Sequence, residues 1–349
     1  MLWIGSERGP ERELVTREGI AFKSVASAPI AGMGWRIMLA PFKIGWGLLQ
    51  SLSIVLKFKP DALLITGGWV TIPPALVCWL LRVPVMIYCP DVEPGGTINA
   101  LKRIAGKVGV VSPEARKFYR ADQIVEAGYP LRAELLQAAG FDQRGQAAQS
   151  AIKQADARQQ FGLTGKDPVL LIFGGSAGAR SVNRAALDHL TEILAGWQVI
   201  HVTGRLDAAW VQAGASGLSD RLAKRYHRFD YLHSDEMALA LAAADLAVSR
   251  SGASALGEFP LFGLPAILVP YPYAWRTQKV NADWLAAQGA AIRLDDDQLR
   301  EGLMPLLAWL RGDATERAHM ARAASTLRRP DAAAKLAEAL LALANRRGV

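Results

Sequence analysis

Apolar and polar positions alternate along this chain with two different periods. Short apolar runs bounded by glycine, proline or small polar residues recur between stretches in which apolar residues return every three to four positions. In the first half, MLWIG, AFKSVAS, DALLITGG, PVMIYC, KVGVVS and QIVEAGYP read as strands. ERELVTREG, the apolar segment over residues 35–58, PALVCWLL and residues 113–119 read as helices. Strands separated by helices predict a parallel sheet with right-handed crossovers.

From 135 to 166 the chain turns polar and rich in Ala, Gln and Gly, the pattern of a linker region. A second alternating series follows, with strands at PVLLIFGG, WQVIHVTG, RYHRFDY, LAVSRSG, PAILVPYP and AAIRL. The last segment, DAAAKLAEALLALAN, reads as an amphipathic helix. The expected organisation is therefore an N-terminal Rossmann-like domain over 1–134, a linker over 135–166, a second Rossmann-like domain over 167–330 and a C-terminal helix over 331–349. Ligands of such α/β domains bind at the carboxyl ends of the strands.

Composition narrows the class without naming a reaction. The chain has 349 residues, 51% hydrophobic and 21% charged, as expected of a folded protein with room for two cores. Its two cysteines, Cys78 and Cys89, offer no disulfide framework, and its five histidines show no HxxxH or HExxH spacing. No metal and no cofactor are expected. MLWIGSERGPERE carries charges of both signs and does not read as a signal peptide. The most apolar stretch, 72–89, is broken by Arg82 and Pro84 and is too short to span a bilayer.

The net charge of +8 is unevenly spread. No acidic residue occurs between Glu18 and Asp61, where Lys23, Arg36, Lys43, Lys57 and Lys59 stand. Trp35, Met38, Leu39, Phe42, Ile44, Trp46, Leu48 and Leu49 are interleaved with them. A basic, aromatic, apolar helix suits an anionic membrane surface, and equally a core helix with solvated lysines. No recognition motif accompanies the charge, so nucleic acid is not an expected partner.

Candidate chemistry gathers in the second half, just after the strands. In LLIFGGSAGARSVNRA, Gly174, Gly175 and Gly178 would let a backbone turn approach an anion, and Ser176 could cap the helix or donate a hydroxyl. The same pattern also serves as a plain strand-to-helix turn. HVTGR (201–205), SRSGASALGE (249–258, with Glu258 expected in the second helical turn) and PYPYAWRTQKVNADWL (270–285) follow later strands. The last of these places Arg276, Gln278 and Asn281 on one helical stretch. Together these loops describe a nucleoside diphosphate site: helix N-termini for phosphates, a carboxylate for ribose hydroxyls and amides for a sugar.

GGSAGARSVN, SRSGASALGE and the Arg-x-Gln-x-x-Asn of WRTQKVNADWL, with TGGWVTIPPAL and GYPLR (128–132), resemble the MurG family over nearly the whole chain. The resemblance implies a GT-B fold, two Rossmann-like doubly wound parallel-sheet domains facing across a cleft. It implies an inverting transfer of N-acetylglucosamine from UDP-GlcNAc to undecaprenyl-diphospho-muramoylpentapeptide, lipid I to lipid II, at the cytoplasmic face of the cell membrane. By resemblance, Ser176 and its neighbouring amides hold the donor diphosphate, and Arg132 contacts the donor. Glu258 accepts hydrogen bonds from the ribose, while Ala253, Ser254, Ala255, Leu256 and Gly257 supply a helix N-terminus beside the phosphates. Gln278 reads the sugar hydroxyls with Asn281 nearby, and Leu232, in YLHSDEM (231–237), offers a backbone contact to uracil. Gly67 and Gly68 match an acceptor-side glycine loop.

Two stretches depart from the family. YCPDVEPGGTIN (88–99) replaces a loop that commonly begins His-Glu-Gln-Asn, so Asp91 and Glu93 are candidates for the catalytic base or for the cap of the next helix. Asp91 also counts among the acceptor-side candidates. The family's opening strand and GGTGGH loop have no counterpart in the sequence, whose first strand matches the family's second. The expectation is a sheet lacking its first strand, through a start assigned too far downstream or a shortened chain. Alternative functions are a GT-B transferase with another lipid acceptor, a UDP-GlcNAc 2-epimerase, or a non-catalytic UDP-sugar-binding protein.

Overall fold

A computed structural model describes residues 1–7, 11–27, 40–148, 150–175, 178–273 and 276–345. The chain forms two compact units, one of residues 1–126 with 335–349 and the other of residues 127–334.

The first unit carries β1 (Leu2–Gly5), α1 (Glu11–Arg17), β2 (Ala21–Ser24), α2 (Ala40–Phe58), β3 (Leu63–Ile65), α3 (Ile72–Leu80), β4 (Val85–Cys89), α4 (Gly96–Leu101), β5 (Lys107–Val110) and β6 (Ile124–Glu126). β3–β4–β5–β6 form a four-stranded parallel sheet, and β1–β2 a separate parallel pair. Residues of β1 and of β3, among them Leu2, Ile4, Leu63 and Ile65, line one apolar cavity of about 270 Å³. The helix expected over 113–119 is a tight 3-10 segment, Pro113–Phe118.

The segment 35–58 enters the described residues only from Ala40, so Trp35, Arg36, Met38 and Leu39 lie outside them. α2 has two apolar faces. Ser51 and Val55 are buried, with Leu48 and Leu52 packed on the core of α3 and β4. Phe42, Trp46, Leu49 and Leu56 fall on another face at helical spacing and are 78%, 59%, 60% and 55% exposed. No described helix is long and apolar enough to cross a membrane.

The second unit carries α5 (Ala133–Ala138), α6 (Gln154–Gln160), β7 (Val169–Phe173), α7 (Arg180–Asp188), α8 (Leu190–Gly196), β8 (Gln198–Val202), α9 (Ala208–Gly214), α10 (Asp220–Ala223), β9 (Tyr226–Phe229) and α11 (Ser234–Ala243). It continues with β10 (Leu246–Ser249), α12 (Ala255–Phe262), β11 (Ala266–Leu268), α13 (Thr277–Ala287), β12 (Ala291–Arg293), α14 (Leu299–Gly312) and α15 (Ala314–Thr326). Its six strands are all parallel, in the order β12–β11–β10–β7–β8–β9. The order turns back at β7, so the loop after β7 opens at the topological switch point. Leu170, Ile172, Val199, Leu246, Val248 and Ile267 of the strands join Trp197, Leu303 and Leu307 in the main core. Each such fully buried side chain contributes roughly 1.5–3 kcal/mol.

The region 135–166 belongs to the second unit rather than standing between domains. Arg158 of α6 fixes it there, donating to Ala243 O at 2.9 Å and pairing with Asp245 at 2.5 Å. The C-terminal helix, α16 (Ala332–Asn345), begins in the second unit and ends in the first. In the first unit Leu336 lies over Gly109 and Leu343 over Gly106, where a Cβ would come within 2.3 and 3.2 Å of their methyl groups.

Candidate active site

In the second unit the site is built around the turn between β7 and α7. Gly174 has no room for a side chain, since a Cβ would lie 2.1 Å from that of Ala179. Gly175 and Gly178 hold φ of 88° and 84°, the left-handed region that glycine tolerates. Ser176 lies outside the described residues. The first intrahelical bond of α7 runs from Asn183 N to Ala179 O at 2.9 Å. The N–H groups of Arg180, Ser181 and Val182 precede that ladder and carry the positive end of the helix dipole.

α12 behaves differently from the expectation. The N–H groups of Ala255, Leu256 and Gly257 already donate to the carbonyls of Gly252, Ala253 and Ser254, at 3.0, 3.1 and 3.0 Å. These tight turns engage the N–H groups of Ala255, Leu256 and Gly257 within the chain. Ala255 and Leu256 are buried, Gly257 lies against Tyr129, and Ala253 lines neither cavity described below. Ser254 and Glu258 are the residues of this segment that reach the cavities, and Glu258 stands in the first turn, not the second.

Two cavities meet at this turn. The smaller, of about 300 Å³, is lined by Arg132, Leu135, Leu232, Met237, Ser254 and Glu258, together with Phe173 and Gly175. Its walls mix apolar side chains with polar groups, among them one cation, Arg132, and one carboxylate, Glu258. Arg132 donates to Ser234 Oγ at 2.9 Å. Burial raises the Glu258 carboxyl above its ordinary pKa, against the charge of Arg132 and a hydrogen bond from Ser254. Leu232 is held in the four-residue loop 230–233 before α11, whose cap is closed by Glu236 accepting the His233 N–H at 2.8 Å.

The larger cavity, of about 880 Å³, shares Phe173, Gly175 and Ser254 with the first and adds Gly174, Gly178, Arg180, Arg250, Tyr271 and Gln278. Gln278 accepts the Tyr271 N–H on Oε1 at 2.9 Å, and its carbonyl accepts from Ser251 Oγ at 2.8 Å. Asn281 does not line this cavity. It is fully buried, and its amide donates to Ser251 O at 3.2 Å, anchoring the SRSG loop from beneath. Arg250 is not among the candidates that the motifs name. Its guanidinium is bonded to Asp296, to Ser181 Oγ at 2.7 Å and to the carbonyls of Val269 and Pro270, both at 3.3 Å. It thereby ties three loops of the cavity wall together.

In the first unit, Gly67 and Gly68 follow β3 with φ of 108° and 82°. Asp91 and Glu93, both half-buried, follow the neighbouring strand β4. All four therefore stand at the carboxyl edge of one sheet. The cap position of α4 falls on Gly95 and makes no side-chain hydrogen bond, so neither carboxylate occupies it. Among the described residues no cluster of His, Cys, Asp and Glu is arranged to hold a metal ion.

Comparison with known proteins agrees with this geometry. Residues 1–110 match the glycosyltransferase family 28 N-terminal domain and residues 169–336 the glycosyltransferase family 28 C-terminal domain. A UDP-N-acetylglucosamine–N-acetylmuramyl-(pentapeptide) pyrophosphoryl-undecaprenol N-acetylglucosamine transferase of Roseiflexus sp. is 36% identical, over 99% of this chain and 84% of its own. The transferase of the same description from Moorella thermoacetica is 35% identical, over 98% and 90%. The crystal structure of Acinetobacter baumannii MurG has the same fold, with a TM-score of 0.72 at 24% identity over 97% of this chain and 90% of that one. The chain belongs to glycosyltransferase family 28 and, within it, to the MurG family.

Proposed function

We propose that the protein transfers N-acetylglucosamine from UDP-GlcNAc to the N-acetylmuramyl-(pentapeptide) pyrophosphoryl-undecaprenol acceptor, converting lipid I to lipid II. The observation that carries the reading is the pairing of a nucleoside-sized cavity, holding Glu258, Arg132 and Leu232, with a larger one holding Gln278, across the glycine turn of α7. Uracil lies against Leu232 and the apolar wall, and Glu258 accepts the ribose hydroxyls. The diphosphate sits on the turn at Gly174, Gly175 and Gly178, with Ser176 as a hydroxyl donor, and the sugar faces Gln278. Arg132 contacts the donor at the edge of the nucleoside cavity.

Departure of UDP builds negative charge on the β-phosphate. The open N–H groups and dipole of α7 are fixed to meet that charge without rearranging. The attacking hydroxyl of the acceptor sugar must lose its proton as the new bond forms, and Asp91 or Glu93 takes it. Gly67 and Gly68 receive the acceptor. The exposed Phe42, Trp46, Leu49 and Leu56, flanked by Lys43, Lys57 and Lys59, rest on the anionic cytoplasmic face of the cell membrane, where the lipid-linked acceptor resides.

The test is transfer of labelled GlcNAc from UDP-GlcNAc to a lipid I analogue. A disaccharide-linked lipid product is expected, with release of UDP. Conversion of UDP-GlcNAc alone to its 2-epimer, with no lipid product, would establish the epimerase instead.

A further inference from the structure

A largely buried chain of polar side chains runs from Tyr226 to Asp207, which lines the larger cavity. Asn183, His201 and Thr203 are fully buried, and Asp207 is 2% exposed. His201 Nδ1 lies 2.8 Å from Tyr226 Oη, and its Nε2 lies 3.0 Å from Asn183 Oδ1. The Asn183 amide donates to Thr203 O at 2.8 Å and to Asp207 Oδ2 at 2.9 Å. The other carboxylate oxygen of Asp207 accepts from Trp210 Nε1 at 3.0 Å and from Arg180 Nε at 3.2 Å.

These contacts permit one arrangement of protons. Asn183 spends both amide hydrogens on acceptors, so its oxygen faces His201 and must receive a hydrogen from Nε2. Nδ1 then accepts from Tyr226. Every group donates in the same direction, from Tyr226 through His201 and Asn183 to Asp207. Burial, with a smaller effect from Arg228, lowers His201 to about 3, so the ring is neutral, as the arrangement needs. Burial alone would raise Asp207, but hydrogen bonds from Trp210, Asn183 and Arg180 outweigh it and hold the carboxylate below its ordinary value.

The chain ends on a cation at the cavity. Arg180 lines it with Gly178 and Gln278, and its side chain is 71% exposed while that of Asp207 is 3% exposed. Asp207 takes Nε, and neither terminal nitrogen of Arg180 has a partner among the described residues. The same network clasps the glycine turn, because Asn183 holds Thr203 O, against which Gly178 packs so closely that a Cβ would lie 2.5 Å away.

We infer that Arg180 is a phosphate-binding residue of the transfer site and that Asn183, His201 and Asp207 are positioning residues that fix its guanidinium beside the glycine turn. This rests on the reading of the cavity as the seat of transfer. A guanidinium held through Nε offers its two remaining nitrogens as a fork, the geometry that matches two oxygens of a phosphate. The ligand class is a phosphate ester; its source is the diphosphate of the nucleotide or the pyrophosphate of the lipid-linked acceptor.

The experiment measures UDP-GlcNAc and UDP binding by calorimetry without acceptor, and KM for a lipid I analogue, on the full chain and on Arg180→Ala and Arg180→Lys. If the donor supplies the phosphate, Arg180→Ala weakens both nucleotides about tenfold, leaves the acceptor KM within twofold, and Arg180→Lys recovers part of the loss. If the acceptor supplies it, the acceptor KM rises instead and nucleotide binding stays put. Either supports the inference, and no change beyond twofold in any of these overturns it.

Positioning is read from a double-mutant cycle. Asn183→Ala should weaken the same ligand in wild type and add little in an Arg180→Ala background. An equal loss in both backgrounds overturns the positioning role. Should Asn183→Ala fail to fold, Trp210→Phe removes one donor to Asp207 from the half-buried rim and is read by the same cycle. A wild-type chain that binds no UDP-GlcNAc sinks the donor reading itself, whereas one that binds it and is indifferent to Arg180 sinks only this inference.

Discussion

The side-chain oxygen of Gln278 accepts the backbone N–H of Tyr271 at 2.9 Å. That bond fixes which end of the amide is spent, so the Nε2 hydrogens are the end that would meet the sugar hydroxyls in the proposed function. Gln278→Glu keeps an acceptor for Tyr271 and removes both donors. A KM for UDP-GlcNAc raised about threefold to tenfold is expected, with UDP affinity unchanged, because only the sugar is lost. Calorimetry with both ligands checks it, and an equal loss for UDP would move Gln278 away from the sugar.

Glu258 sits in a site that raises its pKa through burial. The folded state therefore favours the protonated carboxyl, and the stability it contributes is present below the ordinary value of 4.5 and lost as pH rises through the folded value. The carboxylate form of Glu258 is thus held at a cost to stability. Glu258→Gln should melt no lower than wild type at pH 7, while UDP-GlcNAc binding weakens about tenfold or more. Wild-type affinity should fall on acidification through the raised pKa, and the variant should flatten that dependence.

His201 has the opposite sign. Its pKa falls from 6.5 to about 3, so the neutral ring contributes stability that is present above pH 6.5 and lost progressively as pH falls towards the folded value. The urea midpoint of wild type should drop between pH 6.5 and pH 4. His201→Gln, which cannot charge, should have a lower midpoint at pH 7 but a shallower slope across that window.

The outward face of α2 predicts a surface interaction. Phe42→Glu with Trp46→Glu should reduce co-sedimentation with anionic vesicles by about tenfold or more, since two large apolar contacts are lost and two repelled charges gained. Transfer to a soluble acceptor analogue should be unaffected. Equal binding to zwitterionic and anionic vesicles would count against the basic flank.

Gly109 has no room for a side chain beneath Leu336. Gly109→Val forces that leucine aside and should cost about 1–3 kcal/mol. Limited proteolysis should then cut near α16 before it cuts the second unit.

What was legible in the sequence follows from what local chemistry imposes. The strand–glycine–helix turn at Gly174–Gly178 was readable because crowding and positive φ leave few residue choices there. Glu258 was readable from its place in SRSGASALGE. The state of the N–H groups in α12 was not, because a tight helical start and an open one share a sequence of small residues. Asn281 stood in a motif and looked like a ligand contact, yet it is a buried strut, a distinction that depends on which helix face meets the SRSG loop. Arg250 and the Asn183–His201–Asp207 chain were invisible for a related reason. Their members come from separate strands, helices and loops, and only the register of β7, β8 and β9 brings the chain's members together.

The path of α16 has a consequence for the order of events on the ribosome. Residues 127–334 form the second unit without interruption, so its core can close once that stretch has emerged. The first unit, although it is begun earlier, draws on residues 335–349, and Leu336 and Leu343 reach Gly109 and Gly106 only after the second unit has been made. The half made first is the half completed last. Until then its nascent sheet waits without that cover, and a chain stalled before Lys335 would carry a finished second unit and an unfinished first one.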